Sequence, residues 1–311
     1  MHVTSKYIHK PLLLSGGLDS SILCSLIKPD ISIVISFGDN SLDLHYSRIV
    51  AAKYSKSHIE KIINFETYLR LVPDVIRILK SFDPMEIRNS CVIYAGITEA
   101  KNKELPELVT GDGADELFAG YNYLHRYYSD LPKLQSILHD LWDYMKFSSV
   151  DIGAALNTNI YTPYLEEPFL SFAMNTDIRE KVGEKMGIEW GKYILRKTFE
   201  FELGTLVWRK KMALEKGSKT DRVSDLIAQK VTKFEFESEK RRVRTEQVIL
   251  RSKEQMYYYQ IYRTFFGPPC EDELCDSDRC PYCAACVTRS KRYCNTCGAF
   301  PITKPNTNTT D

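Results

Sequence analysis

Between Leu12 and Cys24 the chain passes from an apolar run, Leu12-Leu13-Leu14, through Ser15-Gly16-Gly17 into the helical pattern Leu18-Asp19-Ser20-Ser21-Ile22-Leu23-Cys24. A strand that gives way at once to a helix leaves the first helical N–H groups without intrahelical partners, and glycines let the backbone bend sharply there. The positive end of the helix faces the same spot, so the site suits an anion. The plain alternative is a glycine turn followed by a serine helix cap. A Walker-type phosphate loop is excluded, because its Gly-Lys-Ser/Thr ending is missing.

The segments that follow extend this pattern. Ile31-Ser32-Ile33-Val34-Ile35-Ser36-Phe37 alternates β-branched residues and predicts a second strand ending at Gly38-Asp39-Asn40. Helical patterns over residues 43–54, 67–80 and 90–100 separate it from weaker strands at 58–63 and 107–110. Helices of these lengths between strands imply right-handed crossovers and an α/β fold, a parallel sheet flanked by helices with ligands at the strands' carboxyl ends. From Asn122 to about Lys230 the pattern is nearly all helical, broken at Pro132, Pro163 and Gly204, which predicts a helical layer over the ligand edge. The expected domains are an α/β domain over 1–232, one long charged helix over 233–266, a cysteine-rich metal-binding module over 267–300 and a disordered tail over 301–311. Val243, Val248, Ile249, Met256, Tyr259 and Tyr262 form the apolar seam expected for the long helix.

A chain of 311 residues at 43% hydrophobic content can bury one large core and a smaller appendage. It holds no apolar run of about 18 residues and no secretory core near its start, so a soluble, cytoplasmic protein without membrane contact is expected. The net charge is +1, with acidic residues in excess up to Leu195 and basic ones beyond it. A basic C-terminal third permits RNA contact without requiring it.

Seven of the nine cysteines fall between Cys270 and Cys297, a clustering that in a reducing compartment points to metal before disulfides. Cys280-x2-Cys283 and Cys294-x2-Cys297 are two knuckles, with Pro281 and Gly298 supplying tight turns, and a tetrahedral Zn²⁺ site is the expected result. Cys286 completes a run that also suits an iron–sulfur cluster, and Cys270, Cys275 and Cys286 are left for a second, incomplete or shared site. The plainer role for such a metal is to staple a module too small to fold alone. Arg289, Lys291, Arg292 and Tyr293 lie between the knuckles, where they suit either RNA contact or a solvated hairpin. Cys24 and Cys91 sit in apolar helical patterns and read as core.

Val109-Thr110-Gly111-Asp112-Gly113-Ala114-Asp115-Glu116-Leu117-Phe118-Ala119-Gly120-Tyr121 packs three carboxylates into a strand exit, where a cation such as Mg²⁺ would offset their repulsion. Ser15 to Ser20 resembles the pyrophosphate loop of the ATP pyrophosphatases, a HUP-like fold. Both motifs together resemble the synthetase domain of asparagine synthetases and β-lactam synthetase, over roughly residues 10–230. Lys192-Tyr193-Ile194-Leu195-Arg196 is similar to that family's Lys-x-x-Leu-Arg helix, and Arg209-Lys210-Lys211 with Gly217 to its loop closing over the triphosphate. The resemblance implies that Ser15, Gly16, Gly17, Ser20 and Ser21 cradle the pyrophosphate of ATP and that Asp19 and Asp115 hold Mg²⁺. It further implies that Gly111, Gly113 and Ser36 border the nucleotide, with Val34 to Phe37 flanking adenine. Lys211 would neutralise the α-phosphate and Asp112 assist the second step. Beside Lys210, a solvated loop lysine is the plain alternative for Lys211.

Three departures qualify the resemblance. Asparagine synthetases begin with a cysteine-headed glutaminase, whereas His2 stands second here and only 14 residues precede Ser15. Ammonia is therefore expected free, from a separate subunit, or not to be the nucleophile at all. Asn159 and Tyr161 replace a charged pair in the segment Asn159 to Glu166, which puts aspartate as substrate in doubt. The cysteine module is the third. The resulting expectation is an ATP- and Mg²⁺-dependent ligase that adenylates a small-molecule carboxylate and transfers ammonia or an amine. The alternatives are adenylation of a tRNA base followed by thiolation or amidation, and a nucleotide-binding scaffold without activity. Oligomeric state is not legible.

Overall fold

The computed structural model describes residues 2–143, 145–271, 275, 278–287 and 293–302. The expected tail is therefore outside the description from residue 303 onward. Two compact units divide the chain, Met1–Ile62 with Ala95–Ser218, and Ile63–Tyr94 with Lys219–Asp311. The helix Pro84–Asn102 crosses the cut. This partition differs from the continuous one the sequence suggests.

The first unit is built on a five-stranded parallel sheet: β1 (Leu12–Leu13), β2 (Ile31–Phe37), β3 (Ser57–Ile63), β4 (Glu107–Val109) and β5 (Asn159–Tyr161). The order is β3-β2-β1-β4-β5, an α/β fold of the HUP-like type. Leu12 pairs with Ser32 of β2 on one side and Val109 of β4 on the other. Successive crossovers thus run one way from β1 and then the other, so the switch point, where ligands bind in open α/β sheets, lies at the carboxyl ends of β1 and β4. Both glycine-rich motifs leave the sheet there. Five consecutive residues of β2 are buried, as expected of a strand covered on both faces. The core gathers Leu12, Leu14, Ile22, Leu23, Val109, Phe118 and Val207, with Cys24 among them.

The region from Asn122 to Lys230 is less uniformly helical than its pattern. It supplies β5, which pairs with β4 in register Leu108–Ile160, and an antiparallel hairpin of β6 (Val182–Lys185) and β7 (Ile188–Gly191). The hairpin turns at Met186 and Gly187, both at positive φ (56° and 72°), the conformation that matches the right-handed twist of the flanking strands.

In the second unit, the helix Phe65–Leu79 buries Tyr68, Val72, Val75 and Ile76 completely, and the helix Lys253–Phe265 covers it. The Tyr68 and Tyr258 hydroxyls meet at 2.8 Å, and Phe82 packs edge-on against Tyr259 with centroids 4.8 Å apart. This cover explains why residues 63–94 leave the α/β unit. The single long helix expected over 233–266 is two helices. Lys233–Arg242, capped by a Thr232–Glu235 box, runs into a 3₁₀ turn, and Lys253–Phe265 starts afresh on Ser252. Gln247 at φ 58° turns the chain so that Val243, Val248 and Leu250 can all be buried, which one straight helix does not allow. No helix among the described residues is long and apolar enough to cross a membrane.

Candidate active site

The loop after β1 is shaped for close backbone approach. Gly16 adopts φ 67°, and a Cβ there would stand 2.5 Å from the Ser47 nitrogen in the helix Leu42–Tyr54. Gly17 caps the helix Leu18–Ile27 with extended backbone and no side-chain bond to the first turn. Ser15 Oγ accepts from the Gly17 N–H at 3.2 Å and lies 3.2 Å from Ser20 Oγ, while Ser21 Oγ is buried with no hydrogen-bond partner among the described residues. Buried hydroxyls rarely stay unpartnered, so an orphan beside a bare helix N-terminus fits a phosphate group.

The second motif closes on the first. A Cβ on Gly111 would lie 3.3 Å from Asp19 Cβ and from the Ser20 nitrogen, so the two strand exits abut. Gly113, at φ 97°, starts the short helix Ala114–Leu117 that aims Asp115 inward. Lys192 joins the motifs: its ammonium lies 2.6 and 2.8 Å from the two Asp19 carboxylate oxygens and 2.7 Å from Asp115 Oδ1. Lys211 reaches Asp115 Oδ2 at 2.6 Å. Burial pushes the Asp115 carboxyl up, but the Lys192 and Lys211 ammoniums outweigh it and hold the group well below the usual carboxylate range. Lys211 mirrors this, burial lowering it and Asp115 raising it, with a net shift upward. Lys192 is 2% exposed. Gly120 is needed beside the pair, since a Cβ would overlap both Asp115 and the Lys192 side chain.

Asp112 accepts from Thr110 Oγ1 at 2.7 Å and Ser149 Oγ at 2.5 Å, and burial raises its carboxyl above the usual range. Arg209 ties the Arg209–Lys211 segment to the first loop: it donates to the Gly16 carbonyl at 2.9 Å, stacks 3.8 Å above the Tyr46 ring and lies 3.8 Å from Asp43. Arg196, in the helix Tyr193–Leu203, donates to the Arg209 carbonyl at 3.1 Å. Burial lifts Asp43 to about 7 against the pull of Arg209 and Lys211. Ser36 is fully buried and its hydroxyl bonds Ser41 at 2.7 Å, so its side chain serves the turn after β2. The altered segment lies against the same motifs: the Tyr161 carbonyl accepts from the Thr110 N–H at 2.9 Å, and the Tyr164 hydroxyl donates to the Asp19 carbonyl at 3.0 Å. Glu166 is taken by Lys6 and Tyr7.

Sequence reasoning missed Lys192, Arg196 and Asp43 as site residues. The Lys-x-x-Leu-Arg string was the available signal for the first two. Asp19 and Asp115 offer only hard oxygen donors, and two carboxylates completed by phosphate oxygens are what Mg²⁺ takes, so the residues fit that ion.

In the second unit the thiols of Cys280, Cys283, Cys294 and Cys297 are all buried, with their sulfurs within 4.8 Å of one another. This soft four-sulfur set is compatible with a metal. The additional site expected of Cys270, Cys275 and Cys286 is not assembled: Cys275 and Cys286 are disulfide-bonded, so their sulfurs are spent on each other and Cys270 stands apart as a free thiol. The same bond keeps Cys286 out of the four-sulfur cluster. Arg289, Lys291 and Arg292 lie outside the described residues, and the Tyr293 hydroxyl is bonded to Asp83.

Residues 11–149 match the asparagine synthase family. An asparagine synthetase [glutamine-hydrolyzing] from Gallus gallus is 29% identical over 277 residues, 82% of this chain and 48% of the relative. The probable asparagine synthetase of Dictyostelium discoideum is 30% identical over 242 residues, covering 66% and 42%, and asparagine synthetase B of Escherichia coli is 26% identical over 282, covering 83% and 50%. The chain thus spans about half the length of the curated relatives it matches. Through residues 11–149 the chain is thus similar to the asparagine synthase family.

Proposed function

We propose that this chain forms an amide by adenylating a small-molecule carboxylate with ATP and passing the acyl group to ammonia or an amine. The observation that carries the reading is the chain of contacts Asp19–Lys192–Asp115–Lys211 beside the bare N-terminus of the helix Leu18–Ile27. In this reading the pyrophosphate of ATP rests on the Ser15–Gly17 loop, with the Ser20 and Ser21 hydroxyls beside it. Lys211 moves its charge from Asp115 to the α-phosphate as the carboxylate attacks, which places a cation where negative charge develops. Lys192 is too deeply buried for that task and keeps the two carboxylates in place. Asp112 accepts a proton from the incoming amine, a role its raised carboxyl suits. Mg²⁺, held by Asp19 and Asp115, would supply charge neutralisation for the departing pyrophosphate.

The segment Asn159–Glu166 adjoins these motifs with Asn159 and Tyr161 where the resemblance has a charged pair, so the acceptor is proposed to be a carboxylate other than aspartate. At the four thiols the proposed ion is zinc. A panel of carboxylates assayed for pyrophosphate release tests the reading. Release that depends on one carboxylate, with AMP as the other nucleotide product once ammonia or an amine is supplied, is expected, and release of ADP and phosphate would refute it.

A further inference from the structure

The two cysteine knuckles repeat one turn. The Ala284 N–H donates to the Cys280 carbonyl at 2.8 Å and the Gly298 N–H to the Cys294 carbonyl at 2.7 Å; the Cys280 and Cys294 amides donate to Ala285 and Ala299 at 2.8 and 3.0 Å. Cys280 Sγ lies 3.7 Å from Cys297 Sγ, and Cys283 Sγ 3.7 Å from Cys294 Sγ. Those separations exceed a disulfide bond of about 2.05 Å by far. They match the spacing of about 3.8 Å between corners of a tetrahedron whose sulfurs stand about 2.3 Å from one ion.

The outer edge of the second knuckle is occupied by one loop. Three successive carbonyls, of Asn295, Thr296 and Cys297, accept from outside it: Ser81 Oγ at 2.7 Å, the Phe82 N–H at 2.8 Å and Gln255 Nε2 at 2.8 Å. Arg251 adds bonds to the Cys297 and Gly298 carbonyls, and Tyr293 donates to Asp83. Gly298, at φ 73°, leaves room for the Asp83 carboxylate that any Cβ would overlap. Ser81, Phe82 and Asp83 belong to no helix or strand, yet they are 2%, 0% and 4% exposed. A buried loop must have its polar groups satisfied, and here the Thr296 carbonyl takes the Phe82 N–H, while Ser81 Oγ donates to the Asn295 carbonyl and accepts from the Asp83 N–H at 3.2 Å.

We propose that the four-cysteine centre is a metal clamp for the Ser81–Asp83 loop: an ion held by Cys280, Cys283, Cys294 and Cys297 fixes the carbonyls of residues 295–297, and these hold the loop that starts the helix Pro84–Asn102. The proposal rests on the reading of the four thiols as a metal site. A knuckle keeps its turn only while both thiolates are bound, so loss of the ion frees the carbonyls and the loop with them.

Hydrogen exchange on the full-length protein, with and without its metal, tests the clamp. The expected result is one zinc per chain by elemental analysis, and a Phe82 amide that exchanges at least about tenfold faster once a chelator has stripped the ion, with amides of the helix Leu18–Ile27 unchanged. One metal per chain with unchanged Phe82 exchange would overturn the clamp alone. A reduced protein that holds no metal and takes up none from added Zn²⁺ would overturn the metal site itself. If the stripped protein unfolds altogether, Ser81→Ala decides, because coupling between loop and ion is reciprocal. Its metal should pass to a colorimetric chelator several-fold faster than from the parent, and an unchanged release rate would contradict the proposal.

Discussion

The Lys192 ammonium lies 2.6 Å from a carboxylate oxygen of Asp19, a residue 173 positions away in sequence, and it does so from a left-handed backbone conformation at φ 54°. That conformation costs a lysine about 1–2 kcal/mol. It is held by the Lys192 N–H bond to the Phe118 carbonyl at 2.8 Å, which seats the lysine under the Phe118–Gly120 turn. One side chain thereby fixes both glycine-rich motifs to each other.

Lys192 and Lys211 therefore separate by experiment. Lys192→Met leaves two partly buried carboxylates without their shared partner and should cost about 3 kcal/mol in urea denaturation. Lys211→Ala, whose side chain is 27% exposed, should leave the urea midpoint close to that of the parent while lowering turnover about 10²- to 10³-fold. Equal stability losses in the two variants would show that Lys192 is not the structural partner.

Gly120→Ala should destabilise the protein by about 1–3 kcal/mol, because the added methyl meets the Asp115 carboxylate and the Lys192 stem in a site without slack. Gly187→Ala, also a glycine at a turn but with open space around its Cβ position, should perturb only the local backbone. Thermal melts of the two variants compare steric with conformational cost.

Asp43 gives the protein a pH signature. Burial lifts its folded pKa to about 7 from an ordinary 3.8, so between those values the folded chain holds a proton that the unfolded chain has released. The stabilisation from that proton is complete below about pH 4 and is lost as pH rises through 7, by an amount on the order of a few kcal/mol. Asp43→Asn cannot titrate. The stability difference between parent and variant should shift against the parent as pH rises across this window, and parallel pH profiles would refute the assignment.

How much of this was legible in sequence follows the range of the interactions. Ser15–Gly17, β2 and the Gly111–Asp115 string declare themselves within a dozen residues, because a strand exit, two glycines and a helix start are local chemistry. Lys192 was legible only as part of a motif. Its role depends on a carbonyl at Phe118 that no periodicity links to it. β5 is three residues long, too short for alternation to show, and the break at Gln247 carries neither glycine nor proline. The four thiols that cluster are the ones their knuckle spacing picks out, whereas the pairing of Cys275 with Cys286 is not decidable from spacing.

Withholding Mg²⁺ without any chelator should abolish turnover without unfolding the α/β unit, since Lys192 pairs with Asp19 and Asp115, and Lys211 with Asp115. Calorimetry in Mg²⁺-free buffer beside an activity assay checks both halves of this. A collapse in melting temperature would mean the carboxylates depend on the cation for stability.

The fate of the substrate's carboxylate oxygen tests the adenylation account most directly. With an oxygen-18-labelled carboxylate that supports turnover, one labelled oxygen should leave in AMP, because that oxygen bonds the α-phosphorus before the amine displaces the nucleotide. Label recovered in inorganic phosphate alongside ADP, with none in AMP, would contradict it.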